Sequence, residues 1–481
     1  MSKNSTKKNF IYYYIYQFTI LLSTIVTIPY ISNVLGSEMV GIYSFTFSIA
    51  NFIYMFAELG TYTYGVREVA LCRNNKSELS KTFTEIVLMK LISTIIWLSI
   101  YIIFINFQKN YNIYFNLWIL FIVSAAFDIT WFYAGIEHFE EIFIINIIIR
   151  IIGIVSTFTL IRSVNDLWIY ITIHALLYLL PFSLMWLSLP KYISITKLSS
   201  INLFKHFSKS LLYFVPTISA SLFLVIDKSM LGFLIEDKNE SGYYEMASQI
   251  VIFSKTLSAI VISHVIQPKA THYYQLQDYK RIKKSIELSI EFSTFICIGM
   301  IFGILSVSHE FVPVFFGSKF RATENILRFM SPLILITAIS YIYEYEYLVP
   351  AGKGKSINKY IVISATVNII LNFILITNYK SIGAVIASLS TELLLLCFFY
   401  KDSNSIVKFK GIFAISIKKI IAGILMSIII YYLNANILCT IIVNKVLLLS
   451  VDVTIGIISY IFVLYILKDN IFSFINDLNQ I

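Results

Sequence analysis

The sequence predicts an all-α protein that crosses a membrane many times. Of its 481 residues, 58% are hydrophobic and only 13% are charged, which is more apolar surface than a water-soluble globule can bury. Long apolar runs continue from Phe10 almost to the C-terminus. Each run can cross a hydrocarbon core of about 30 Å as a helix of about 20 residues. Because backbone polar groups in lipid must bond within the protein, we expect helices here.

Polar breaks between the apolar runs place roughly fourteen transmembrane helices along the chain. The first run follows three lysines, but it is too long for a signal peptide and no small-residue cleavage site follows it, so we expect it to be retained. The predicted helices are 10–32, 41–64, 84–106, 112–133, 142–162, 167–189, 208–234, 242–264, 286–307, 324–349, 358–377, 382–400, 414–434 and 446–467.

The basic residues predict the orientation of these helices. With a cytoplasmic N-terminus, 25 Lys and Arg residues fall in or beside inside segments and 7 in or beside outside segments. Because basic loops stay in the cytoplasm, both termini are expected there. The net charge of +10 then comes mainly from loops that face anionic lipid, such as the loop with Lys283 and Lys284. No soluble basic domain remains to indicate a nucleic-acid partner.

Two parts of the chain repeat one another. Gly41 corresponds to Gly242 at an offset of 201 residues, and Lys81 corresponds to Lys284 at an offset of 203. The order of helix, polar turn, helix and basic loop is the same in both copies, and loop insertions explain the small drift. Six helices separate the copies, an even number, so the copies are related by an axis along the membrane normal.

The repeat predicts how the chain is divided. We expect an N-terminal six-helix lobe over 1–197 and a C-terminal six-helix lobe over 198–402. Two accessory transmembrane helices and a C-terminal tail would then occupy 403–481. The two lobes are parallel copies and are expected to face each other across a cleft.

The sequence lacks the patterns of a soluble enzyme. Cys72, Cys297, Cys397 and Cys439 are scattered without metal-ligand or redox spacing, and we expect them to be small apolar residues. The six histidines form no HExxH pair, and neither a GxxxxGK[ST] loop nor a GxSxG turn occurs. We therefore expect no metal site, no bound cofactor and no catalytic residues.

Six segments resemble the pattern of bacterial oligosaccharide flippases. These form the polysaccharide biosynthesis family of the superfamily that also contains multidrug and toxic compound extrusion (MATE) transporters and the lipid II flippase. The resemblance extends over most of the chain, to about Tyr400. Its segments are KKNFIYYYIYQF, IPYISNVLGSEMVGIYSF, AELGTYTYGVREVA, VIDKSMLGFL, WFYAGIEHFE and YKSIGAVIASLSTE.

The resemblance implies a MATE-like fold with two six-helix lobes and two accessory helices. It also implies export of undecaprenyl-diphosphate-linked oligosaccharide repeat units by alternating access, for O-antigen or capsule assembly, across the bacterial cytoplasmic membrane. The implied partners are membrane lipids and other polysaccharide-assembly membrane proteins, and a proton or sodium gradient is the expected driving force. The family has no strictly shared catalytic residues, so candidate residues follow from physical arguments.

A diphosphate head group needs cations, and sugars need polar or aromatic groups. Lys255 lies near the middle of the eighth predicted helix and shares its face with Ser248. Glu58 shares a face of the second helix with Asn51 and Tyr54. The offset of 201 residues carries Tyr54 onto Lys255, so both faces are expected to look into the cleft. Alternatively, each charge pairs with a neighbour inside its own lobe.

Arg150, in the fifth predicted helix, is a further candidate for phosphate binding. Asp128, in the fourth helix, lies at a matching distance from the cytoplasmic end of the membrane. An ion pair between Asp128 and Arg150 inside one lobe is therefore an equal alternative.

Glu392 and Asp227 are candidates for a protonatable coupling site, together with Glu58. A carboxyl group in a low-dielectric environment holds a proton more readily than one in water. Lys228 follows Asp227 directly and favours a salt bridge for that residue instead.

The segment YIYEYEYLVPAGKGK closes a long apolar run and is expected to be helical. Glu344 and Glu346 would then lie near a helix C-terminus, where the helix dipole disfavours acids. Lys353 and Lys355 follow closely and are expected to compensate them.

Three functional classes remain open. They are a flippase, a membrane polymerase or acyltransferase that acts on the same lipid-linked sugars, and a drug or cation exporter of the same fold. A polymerizing enzyme would carry a long extracytoplasmic loop, whereas the outside segments here are short. A drug exporter would have an acid-dominated cleft, so Lys255 favours the anionic lipid-linked substrate.

Overall fold

The structure, a computed structural model, describes residues 3–194, 202–261, 267–403, 406, 408–438, 442 and 444–473. Across these ranges every regular element is a helix, which confirms the all-α prediction. Ten helical segments of the described residues are long and apolar enough to cross a membrane. The protein is therefore a multi-span membrane protein.

The helices follow the predicted runs. Three short helices, α4 to α6, occupy the fourth predicted span, and α13, α14 and a π-helical turn (Tyr343–Leu348) occupy the tenth. The helices of the first half are α1 (Lys3–Glu58), α2 (Thr61–Cys72), α3 (Lys76–Phe107), α4 (Asn112–Leu117), α5 (Ile119–Phe127), α6 (Thr130–Gly135), α7 (Phe139–Leu160), α8 (Leu167–Met185) and α9 (Leu203–Leu234). Those of the second half are α10 (Lys238–Val261), α11 (Gln267–Gln275), α12 (Tyr279–Phe315), α13 (Thr323–Met330), α14 (Leu333–Ile342), α15 (Gly354–Asp402), α16 (Phe409–Leu433) and α17 (Lys445–Ile466).

Two long helices each hold two predicted transmembrane helices. Helix α1 is interrupted at Gly36, whose φ of 76° and ψ of 175° are not helical. Glycine suits this position because it adopts positive φ without steric cost. Helix α15 is interrupted in the same way at Lys380, where φ is 52° and ψ is −131°. These breaks account for two of the four helices by which the prediction exceeds the ten segments, and the other two, 208–234 and 242–264, correspond to α9 and α10.

The chain forms two compact units, Met1–Gly242 and Tyr243–Ile481. Helix α9, which the sequence repeat assigns to the second lobe, packs in the first unit against α1, α2 and α3. The division into 1–197, 198–402 and 403–481 describes sequence repeats and stays a prediction.

The two accessory helices, α16 and α17, pack against α12 in the second unit. The Tyr460 hydroxyl of α17 donates to the carbonyl oxygen of Phe295 over 3.0 Å. The fully buried Lys419 of α16 lies 2.5 Å from Glu291 of α12 and 3.2 Å from Asp469, which follows α17. One buried ammonium therefore fixes both accessory helices to α12.

Gly41 and Gly242, the pair that marks the sequence repeat, meet within the first unit. A β-carbon on Gly41 would overlap the carbonyl oxygen of Lys238, and one on Gly242 would overlap that of Ser37. The Ser37 hydroxyl also donates to the side-chain oxygen of Asn239 over 2.5 Å. Both positions require glycine because the two helix backbones approach too closely for any side chain.

We expect Gly41→Ala to lower the free energy of unfolding by about 1–3 kcal/mol, the usual cost of overpacking. Gly303→Ala in α12 is the matched control, since a β-carbon there meets no atom within 4 Å and alanine is the better helix former. Thermal unfolding of both purified variants in detergent measures the difference. Equal melting temperatures would show that the backbone contact does not limit stability.

Candidate functional site

A buried charge network joins three helical segments of the first unit. Lys90 lies midway along α3 with 1% of its side chain exposed, and its ammonium is 2.6 Å from a carboxylate oxygen of Glu58 at the end of α1. The same ammonium lies 3.5 Å from the carboxylate of Asp128 and donates to the Asp128 carbonyl oxygen over 2.9 Å. We call Glu58, Lys90 and Asp128 the Lys90 triad.

Local backbone structure explains why Asp128 accepts so many hydrogen bonds. The residue lies at the break between α5 and α6, where its extended backbone ends one helix before the next begins. Its carboxylate accepts from the backbone N–H and the hydroxyl of Thr130, over 2.8 and 2.6 Å. The indole of Trp131 donates to its carbonyl oxygen over 3.1 Å. A helix break inside lipid must satisfy its free backbone groups, and Asp128 does so.

The Lys90 triad contains two acids and one base. The side chain of Glu58 is 15% exposed, whereas those of Asp128 and Lys90 are 7% and 1% exposed. With all three groups ionised the network carries one net negative charge, which is costly inside a low-dielectric environment. A single proton on Glu58 would make it neutral. The geometry can therefore bind and release one proton at its most exposed member.

Aromatic side chains surround the same helix face. The ring of Tyr54, one turn before Glu58, stacks on Phe121 with centroids 4.5 Å apart and planes at 20°. Tyr178 of α8 meets Phe121 edge to face at 5.0 Å. Aromatic faces of this kind offer apolar contact, and the tyrosine hydroxyls offer hydrogen bonds.

A second buried polar cluster ties α9 to α2 and α3. Nε2 of His206 lies 2.7 Å from the Glu85 carboxylate, and Nδ1 of His206 lies 2.6 Å from the Tyr64 hydroxyl. One turn further along α9, Ser210 donates to the carbonyl oxygen of Leu59 over 2.6 Å. These contacts join α9, which the sequence predicts to belong to the second lobe, to α2, to α3 and to Leu59 directly after α1.

The predicted residues of α10, Ser248 and Lys255, lie in the second unit. Ser248 is buried, and its hydroxyl donates to the carbonyl oxygen of Glu245 in the same helix over 2.8 Å. Lys255 is half-buried. A substrate-binding role for Lys255 and Ser248 stays a prediction, as does a shared cleft between Lys255 and the face of Glu58.

Among the predicted residues of the first unit, Glu58 forms an ion pair with Lys90. Its pairing with Lys90 matches the alternative of an ion pair within one lobe. Asn51 and Tyr54 are half-buried on the same helix. Asp128 pairs with Lys90 rather than with Arg150, and Arg150 forms no ion pair with any residue that the structure describes. Binding of substrate by these residues stays a prediction.

The predicted coupling acids are removed from water. Asp227 of α9 is fully buried and Glu392 of α15 is buried.

The prediction that Lys353 and Lys355 neutralise the charges of Glu344 and Glu346 is wrong. Lys353 instead donates to the carbonyl oxygen of Asp402 over 2.5 Å, while both glutamates are buried on the π-helical turn.

Lys90 is not among the residues predicted from the sequence, although a signal for it is present. A lysine in the middle of the apolar run LMKLIS stands at membrane depth, as Lys255 does. The pairing of Glu85 with His206 is harder to predict, because both residues lie near predicted helix ends, where charged and polar residues are common.

Comparison with known proteins identifies relatives along most of the chain. A family model described as "Polysaccharide biosynthesis protein" matches residues 6–273. The "Putative O-antigen transporter" of Shigella dysenteriae is 21% identical over 407 residues, which cover 82% of this chain and 99% of the relative. A protein of the same name from Escherichia coli strain K12 is 23% identical over 425 residues, which cover 84% of this chain and 99% of the relative.

A solved structure shares the fold. The lipid II flippase MurJ in an inward closed conformation superimposes with a TM-score of 0.70 at 19% sequence identity. The match covers 95% of this chain and 98% of the flippase chain. The prediction of an all-α, multi-span fold of this architecture is thereby confirmed.

We expect Lys90→Ala to destabilise the protein by about 3–5 kcal/mol, because it leaves two buried carboxylates without a cation. Lys76→Ala is the matched control, since Lys76 is exposed at the start of the same helix. Thermal unfolding of the purified variants measures both effects.

The network can also be neutralised as a whole. A triple variant with Lys90→Met, Glu58→Gln and Asp128→Asn should recover most of the lost stability, since no buried charge remains. If Lys90→Ala has the same melting temperature as the wild type, the Lys90 triad does not stabilise the protein.

Proposed function

Because the chain belongs to the polysaccharide biosynthesis protein family, whose model matches more than half of its length, we propose that it is a flippase for undecaprenyl-diphosphate-linked oligosaccharides. It would move the repeat unit across the bacterial cytoplasmic membrane by alternating access, for assembly of a surface polysaccharide. The observation that carries this proposal is the match to two O-antigen transporters over 99% of their lengths. The relatives are transporters, and we assign no catalytic step to this chain.

The proposed substrate sets physical requirements on the protein. Its diphosphate is an anion that must leave water, so it needs cationic partners at membrane depth. Lys255 and Arg150 are half-buried cations in predicted transmembrane helices and are the proposed partners. The aromatic face with Tyr54 and Tyr178 supplies surfaces on which sugar rings stack. The prenyl tail would stay in the surrounding membrane lipid.

A gradient of protons or sodium ions is the proposed driving force. A flippase that is driven by a gradient must bind the coupling ion in one conformation more tightly than in the other. Glu58, Glu392 and Asp227 remain the proposed coupling residues. Of the three, Glu58 is the one that is partly exposed in the structure.

The proposed setting is the bacterial cytoplasmic membrane, with both termini in the cytoplasm. The excess of basic residues in the inside segments supports this orientation. Membrane lipids and other polysaccharide-assembly membrane proteins are the proposed partners.

Flipping of an undecaprenyl-diphosphate oligosaccharide in proteoliposomes tests the function. We expect Lys255→Ala to abolish most of the transport and Lys255→Arg to retain part of it, because a phosphate contact depends on charge. Lys280→Ala, an exposed lysine at the start of α12, is the control and should keep the wild-type rate. Wild-type protein that moves cationic dyes but no lipid-linked oligosaccharide would overturn the proposal.

Cysteine labelling tests the orientation. In a background without native cysteines, a membrane-impermeant reagent added outside should label cysteines placed at Asp237 and Lys319, which are exposed in loops expected outside. Cysteines at Lys76 and Lys283 should react only after the membrane is permeabilised. Labelling of Lys283→Cys from outside in intact cells would contradict the model.

A further inference from the structure

The π-helical turn that continues α14 carries two buried acids. Over Tyr343–Leu348 the hydrogen bonds shift, and the N–H of Val349 donates to the carbonyl oxygen of Glu344 over 2.8 Å. Glu346 is fully buried and Glu344 is 7% exposed. Single π-helical turns inside transmembrane helices are frequent at functional positions. The turn thus places two carboxyl groups inside the second unit.

Neither carboxyl group has a cationic partner among the described residues. The hydroxyl of Ser289 donates to Oε1 of Glu346, while Oε2 of Glu346 and Oε1 of Glu344 accept no hydrogen bond. The buried lysines Lys90 and Lys419 each hold two carboxylates elsewhere in the chain. Glu346 therefore differs from the acids that those lysines neutralise.

Helix α12 carries a line of buried hydroxyl groups, and one of them, that of Ser289, contacts Glu346. Ser285, Ser289 and Ser293 are four residues apart and so share one helix face, about 6 Å apart along the axis. All three are fully buried. The hydroxyls of Ser285 and Ser293 have no hydrogen-bond partner among the described residues. The three serines therefore form a polar stripe on α12, and polar groups at membrane depth are costly unless they serve a function.

The arrangement suits a proton better than a metal ion. An ionised carboxylate with one neutral hydrogen bond is strongly disfavoured in a buried site, whereas a protonated one carries no charge. A metal ion needs several oxygens that converge on one point. The serine hydroxyls are spread along the helix, and the described residues contain no group of three acidic, histidine or cysteine side chains suited to a metal.

Other titratable side chains pack against residues of the π-helical turn that neighbour Glu344 and Glu346. Tyr274 of α11 packs on Tyr347, with ring centroids 6.2 Å apart. Tyr400 of α15 packs on Tyr343, with centroids 6.0 Å apart. Glu392 of α15 acts electrostatically on Glu344. From α12, the group that faces Glu346 is the hydroxyl of Ser289.

We propose that Glu346, hydrogen-bonded to Ser289 of α12, is a proton-carrying site of the transport cycle. This inference rests on the proposed function, which it deepens by naming the coupling ion and its residue. A proton from water on one side forms an O–H bond at Oε2 of Glu346. The same bond breaks to water on the other side when the conformation changes, so no other co-reactant is needed.

Infrared spectroscopy of the purified protein tests the bound proton directly. We expect a carbonyl stretching band of a buried carboxylic acid that Glu346→Gln removes. Ser289→Ala should shift this band without removing it, because the hydrogen bond to Oε1 is lost. Glu287→Gln in α12, where the glutamate side chain is 40% exposed, is the control and should leave the band unchanged. A carboxylic-acid carbonyl region that loses no intensity in Glu346→Gln would overturn the assignment.

Transport in proteoliposomes tests the coupling. We expect Glu346→Gln to lower flipping driven by a proton gradient by about tenfold or more, while Glu287→Gln keeps the wild-type rate. Wild-type flipping that follows a sodium gradient but not a proton gradient would overturn the coupling role. If the wild type flips no lipid-linked oligosaccharide, the proposed function fails, and the infrared band still decides whether Glu346 holds a proton.

Discussion

A charge at membrane depth has to be neutralised by another group of the protein, and this constraint decides much of the helix packing in each unit. Lys90 joins the end of α1, the middle of α3 and the break between α5 and α6 through two carboxylates. Lys419 joins α12, α16 and the segment after α17 in the same manner. These ammonium groups are shielded from water, so each must lie beside carboxylates of neighbouring helical segments.

In two places the buried acidic groups are not fully neutralised by basic groups among the described residues. The Lys90 triad has one acid more than it has bases, and the partly exposed Glu58 is where a proton can restore neutrality. Glu346 has no base at all among the described residues, only the hydroxyl of Ser289. Buried acids of this kind are costly for stability alone, and a transporter that must bind and release an ion gives them a use.

Backbone breaks and close contacts complete this arrangement. At the helix break, the carbonyl oxygen of Asp128 accepts hydrogen bonds from the side chains of Lys90 and Trp131. Within the first unit, the contact at Gly41 and Gly242 brings the first turn of α10, residues 238–242, against α1 without intervening side chains. Small residues of this sort let transmembrane helices pack closely where no hydrophobic force between helices exists.

The sequence by itself determined the transmembrane helices, because each must bury about 20 apolar residues whatever its neighbours are. It also determined the repeat that includes Gly41 and Gly242, and the resemblance that the family model confirms. Only the tertiary structure decided that Asp128 pairs with Lys90 and not with Arg150. It likewise showed that Lys353 leaves Glu344 and Glu346 uncompensated. Hydropathy depends on each residue alone, whereas the partner of a charge depends on which helices meet, and that is fixed only when the helices pack.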